Sequence, residues 1–163
     1  MTWIATAIAF AGAVLLGAGY YVAGAVVTLV AVIGDCIDGD LARITGRTSK
    51  IGAFLDSVLD RWTDAALILG LMYSDMEGLG EVGALALTAS ILTSYTRARA
   101  QSLGVDCPEG IGGRDARILI LIIAILTGLV WWGLIVVAAT GIVTAIQRAV
   151  IAARRLAAAP ERS

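Results

Sequence analysis

Residues 21–64 read YVAGAVVTLVAVIGDCIDGDLARITGRTSKIGAFLDSVLDRWTD. The first part is apolar and completes an uncharged run that begins at Met1 and ends at Gly34. Six carboxylates then follow within 30 residues: Asp35, Asp38, Asp40, Asp56, Asp60 and Asp64. A helix needs about 20 apolar residues to cross the hydrocarbon of a bilayer, so residues 1–34 suffice for more than one crossing. Acids directly after such a run are costly to bury and mark a functional site. Asp35 and Asp38 stand at i and i+3 and Asp56 and Asp60 at i and i+4, with Asp64 one turn further, so each set shares a helix face. The short polar loop 46–50 makes the two helices antiparallel neighbours that present both faces to one cavity.

Outward from this stretch, residues 118–147 form a second uncharged block. The chain is 59% hydrophobic and 15% charged, against roughly half and a quarter in soluble domains. No basic leader precedes the first block, so a cleaved signal peptide fits poorly. The fold class expected is all-α: one polytopic membrane domain over residues 1–163 with six transmembrane helices. The first is expected over 2–16 with a turn at 17–19. The second runs from residue 20 through 35–44, the third over 51–73 and the fourth over 82–100. Loops fall at 74–81 and 104–113, and the fifth and sixth helices divide the second apolar block around 128–133. All twelve basic residues then lie on the side reached after helices two, four and six. The opposite loops carry only Asp75, Glu77 and Glu81. The positive-inside rule puts that basic side, both termini and the aspartates in the cytoplasm.

The chain has no histidine, which removes the usual proton shuttle and a frequent transition-metal ligand. Acid–base work falls to carboxylates, and crowded carboxylates suit a hard divalent ion such as Mg²⁺, Mn²⁺ or Ca²⁺. Cys36 and Cys107 suggest no disulfide framework. Gly39, Ala42 and Gly52 leave room for a base, a phosphate or a neighbouring helix to approach the backbone. Arg43 can pair with Asp40 or reach a phosphate. Arg97, Arg114, Arg117 and Arg148 gather at three helix ends, and guanidinium groups grip phosphate by forked bonds. Arg99, Arg154, Arg155 and Arg162 suit lipid headgroups. Two bland readings compete: salt bridges inside a bundle, and a cation pathway lined by aspartates. The second would spread acids through the membrane depth, whereas these cluster near one end of their helices.

The spacing Asp35-x2-Asp38-Gly39-x2-Ala42-Arg43-x8-Gly52-x3-Asp56-x3-Asp60 resembles the signature of the CDP-alcohol phosphatidyltransferase family at every fixed position. The resemblance implies transfer of a phospholipid moiety from a CDP-linked lipid, CDP-diacylglycerol or CDP-archaeol, to an acceptor hydroxyl with release of CMP. It implies that Asp35, Asp38, Asp56 and Asp60 hold two divalent cations, Mg²⁺ or Mn²⁺. Asp35, Asp38, Gly39, Ala42, Arg43, Gly52 and Asp56 would meet the CDP group, and Asp60 would be the general base. Residues 95–100, 114–117 and 147–148 resemble the branch that makes phosphatidylinositol phosphate or archaetidylinositol phosphate. That likeness implies inositol 1-phosphate as acceptor, held by Arg97, Arg114, Arg117, Arg148 and Asp64. Glycerol 3-phosphate is the rival acceptor. A multi-pass homodimer in the cell membrane, surrounded by lipid and with no nucleic-acid partner, completes the expectation.

Overall fold

The computed structural model describes residues 2–44, 49–107, 110 and 112–158, and within them the side chains of all but Thr2, Asp38, Asp40, Ala42 and Arg43. The described residues form six helices and no strand: α1 Thr2–Gly17, α2 Tyr21–Ile44, α3 Lys50–Met72, α4 Leu79–Ser102, α5 Arg114–Leu126 and α6 Val130–Ala158. Local chemistry explains the ends. Ser49 is extended at φ −126° and accepts the Gly52 N–H at 3.0 Å, capping α3. Gly19 and Gly128 adopt φ of +83° and +74°. After Gly128, the Leu129 N–H reaches the Ala124 carbonyl at 2.8 Å; after Gly19, the Tyr20 N–H reaches that of Leu15 at 2.9 Å. Both helices therefore end in the Schellman pattern that a left-handed glycine permits. The α5–α6 turn thus occupies 127–129. The expected turn extended to residue 133, but Gly133 lies inside α6, where an added Cβ would come 2.3 Å from Ala124 Cβ.

α1 packs on α2 and α3, α4 on α3 and α6, and α5 on α2 and α6. Leu16, Ile68, Leu71, Leu134 and Val137 lie at the centre of the core. Small residues set the spacing. A Cβ on Gly70 would stand 2.4 Å from the Ala13 carbonyl oxygen, and one on Gly141 would stand 2.9 Å from Ala89 Cβ.

The outer surface is apolar. Val22, Val26, Val30, Ile33, Ile37, Leu41 and Ile44 recur every three or four residues on α2, and each is at least 50% exposed. A surface helix in water turns its apolar stripe inward; this one turns it out. Among the described residues, one helix, Val130–Ala158, is long and apolar enough to cross a membrane by length and composition alone. Trp3–Gly17 and Tyr21–Ile37 are apolar but shorter, and α3 carries Asp56, Asp60, Arg61 and Asp64 within its length.

Candidate active site

The late part of α2 carries Asp35, and α3 carries Asp56, Asp60 and Asp64 at successive turns. One carboxylate oxygen from each of Asp35, Asp56 and Asp60 lies within 4.8 Å of the other two. Three hard anionic donors that close together are a set a divalent cation satisfies, so the residues present fit the expected metal chemistry. The backbones of Asp38, Ala42 and Arg43 lie in α2. The side chains of Asp38, Ala42 and Arg43, three of the expected site residues, lie outside the described set.

A cavity of about 820 Å³ opens over the aspartates. α2 and α3 line it with Asp35, Asp56, Asp60 and Asp64 beside Arg61, an acidic wall, and α4, α5 and α6 with Arg97, Arg114, Arg117 and Arg148 beside Asp115, a basic wall. Late residues of α2, α4 and α6 thus meet early residues of α3 and α5 at one end of the bundle. Gly39 lines the cavity, and among the described residues nothing lies within 4 Å of the place a Cβ would occupy there. The Gly52 N–H caps α3 through Ser49 Oγ, the nearest neighbour an added Cβ would meet.

Arg114 joins the two walls. Its Nη1 lies 2.9 Å from Asp60 Oδ1 and 3.6 Å from Asp35 Oδ2, and its Nε lies 3.3 Å from Asp64 Oδ1. Nη2 donates to Thr63 Oγ1 at 3.3 Å, and that hydroxyl donates to the Asp60 carbonyl at 2.9 Å. Asp64 carries a second guanidinium: its Oδ2 accepts from Arg117 Nη2 at 2.9 Å. Arg117 is 4% exposed, and its Nη1 donates to the Gly112 carbonyl at 2.7 Å. Arg148, also buried, donates from Nη1 to the Thr93 carbonyl at 2.8 Å. Asp64, expected at the acceptor, lines the cavity and orients arginines with both its oxygens. Sequence reasoning missed Thr63, whose only signal was its place one residue before Asp64.

Comparison with known proteins places the chain in a family. The profile of the CDP-alcohol phosphatidyltransferases covers residues 1–152. The chain belongs to that family. As a family member it is a CDP-alcohol phosphotransferase, an enzyme of phospholipid biosynthesis. It is 39% identical to an archaetidylinositol phosphate synthase of Methanothermobacter thermautotrophicus over 147 residues, covering 83% of this chain and 75% of that protein. It is 36% identical to a phosphatidylinositol phosphate synthase of Streptomyces avermitilis, covering 98% of this chain and 73% of the relative. Among solved structures, the phosphatidylinositol phosphate synthase of Mycobacterium tuberculosis with CDP-DAG bound superposes with a TM-score of 0.84 at 27% identity, covering 93% of this chain and 83% of that one. The same enzyme in complex with manganese and citrate gives 0.83 at 28% identity, covering 93% and 79%.

Proposed function

We propose that this phosphatidyltransferase joins a CDP-linked lipid to inositol 1-phosphate, releasing CMP and forming a lipid-linked inositol phosphate. The carrying observation is the polarised cavity. A carboxylate wall suited to cations and a guanidinium wall suited to phosphate line one cavity of about 820 Å³. The names of the relatives favour inositol 1-phosphate over glycerol 3-phosphate, and the bacterial and archaeal relatives support diacyl and ether lipids alike.

In this reading Asp35, Asp38, Asp56 and Asp60 would hold two Mg²⁺ or Mn²⁺ ions, which when bound would supply stabilisation of charge on the donor's pyrophosphate and on departing CMP. Gly39 keeps the cavity wall open for the nucleotide, with Ala42, Arg43 and Gly52 completing that side. Arg97, Arg114, Arg117 and Arg148 bind the acceptor's phosphate. Arg114 and Arg117 keep further N–H groups for it beyond those given to Asp60, Asp64 and Gly112. The acceptor hydroxyl is thereby set beside Asp60. That carboxylate takes its proton as the oxygen attacks the lipid-bearing phosphorus in line with CMP departure. The outward apolar stripe of α2 and the length of α6 support a membrane placement, and the proposal takes it as six spans in the cell membrane with both termini and the cavity facing the cytoplasm. Reporter fusions at either end test that topology. The family resemblance extends the proposal to a homodimer, tested by sedimentation in detergent.

Purified protein given CDP-diacylglycerol, inositol 1-phosphate and Mn²⁺ should release CMP, and omitting any one should stop it. CMP release without an acceptor would make the protein a hydrolase and sink the proposal. Mn²⁺ flux into vesicles lacking CDP-lipid would favour the transport reading.

A further inference from the structure

The segment leading into Arg114 is fastened to α6 at Gly112. Gly112 is buried, and its N–H donates to Thr144 Oγ1 at 2.9 Å. Its carbonyl accepts from Arg117 Nη1 at 2.7 Å. A Cβ on Gly112 would lie 2.8 Å from both the Thr140 carbonyl oxygen and Thr144 Oγ1, so glycine allows the backbone to touch the helix. Gly110, at φ +67°, rests on the same side chain, where a Cβ would come 2.7 Å from Thr144 Cγ2. Thr144 has no exposed surface and stands one turn before Arg148 on α6.

A threonine in an apolar helix ordinarily hands its proton to the carbonyl four residues back, and Thr144 does so to Thr140 at 2.7 Å. The Gly112 N–H uses the hydroxyl's acceptor side, saturating a buried polar group from both directions. A chain of bonds then runs from Thr144 through Gly112 to Arg117, and from Arg117 through Asp64 to Arg114. Thr144 itself is not among the residues lining the cavity.

We propose that Thr144 is a positioning residue for the acceptor. Its hydroxyl pins Gly112, and the pinned carbonyl fixes the fork of Arg117 and the start of α5. The inference rests on the reading that a phosphorylated acceptor binds the basic wall. It adds a residue remote from the aspartate signature whose loss moves one substrate's affinity and spares the other's.

The experiment compares Thr144→Val, which keeps the shape and removes the hydroxyl, with Thr144→Ser, which keeps the hydroxyl. A buried N–H left without a partner carries a cost of the size that changes affinity about tenfold, roughly 1.4 kcal/mol. Thr144→Val should therefore raise the KM for inositol 1-phosphate about tenfold, with the KM for CDP-diacylglycerol and Mn²⁺ affinity unchanged; Thr144→Ser should behave as wild type. Gly112→Ala, which pushes the same backbone off α6, should reproduce the valine result. Hydrogen-exchange mass spectrometry of the peptide spanning 110–117 reads the pin without turnover. Exchange should accelerate in Thr144→Val and not in Thr144→Ser. Unchanged exchange overturns the pin whatever the acceptor. Faster exchange with an unchanged acceptor KM, or with an equal rise in donor KM, overturns the positioning role. A wild-type enzyme inactive with inositol 1-phosphate overturns the acceptor reading, leaving exchange to judge the pin.

Discussion

Replacing Asp64 with asparagine tests how the basic wall is held. Asp64 accepts Arg114 Nε at 3.3 Å on one oxygen and Arg117 Nη2 at 2.9 Å on the other. Asparagine keeps one acceptor oxygen and turns an amide N–H₂ toward the other guanidinium, placing donor against donor. The side chains of Arg117 and Asp64 are 4% and 10% exposed. Removing one partner of a buried ion pair costs about 3–5 kcal/mol. The Gly112 carbonyl still holds Arg117 and the cavity admits water, so the lower figure, about 3 kcal/mol, applies. For a chain of this size that corresponds to a fall in Tm of roughly 6–12 °C, read by intrinsic fluorescence in detergent. The acceptor KM should rise about tenfold as Arg114 loses its Nε anchor, while Arg114 keeps Asp60. Asp64→Asn combined with Arg117→Gln should lose less than the two singles together, with a coupling of at least about 1 kcal/mol. A Tm within 2 °C of wild type, or strictly additive losses, would refute the buried pair as the support of this wall.

Other consequences are independent. Asp60→Asn should lower CMP release at least about a thousandfold, the range of a lost general base, with Tm little changed; residual turnover near wild type removes Asp60 as base. Asp56→Asn should weaken Mn²⁺ binding at least about tenfold, measured by the free-ion signal in electron paramagnetic resonance. Equal affinity would dissolve the three-carboxylate cluster. Gly70→Ala should destabilise by about 1–3 kcal/mol, because its Cβ would meet the Ala13 carbonyl at 2.4 Å; an unchanged Tm would mean that α1 and α3 do not touch there.

Features encoded within a few residues were legible. The end of α1 follows the turn read at 17–19, where Gly19 permits the cap, and the aspartate spacing located one wall of the cavity. The α5–α6 turn was drawn too wide because glycine reads as a breaker, whereas Gly133 is a contact point with Ala124. Partners far apart in sequence were invisible. Arg114 meets Asp64 across 50 residues and Arg148 meets Thr93 across 55. Arg155 resembled a headgroup anchor, yet it also donates to the Asp106 carbonyl. Thr93 and Thr144 are unremarkable in apolar helices until a second backbone arrives beside them. Such pairings depend on which helix faces meet, and periodicity does not specify that.

The central claim is that one wall takes a CDP-lipid and the other a phosphate-bearing acceptor. An acceptor panel tests it most directly: CMP release from CDP-diacylglycerol and from CDP-archaeol with Mn²⁺, offered inositol 1-phosphate, glycerol 3-phosphate, inositol, glycerol or serine. Turnover with inositol 1-phosphate, and none with the unphosphorylated acceptors, is the predicted result. Turnover with free inositol or serine at comparable kcat/KM would contradict it, because the arginine wall would then have no phosphate to hold.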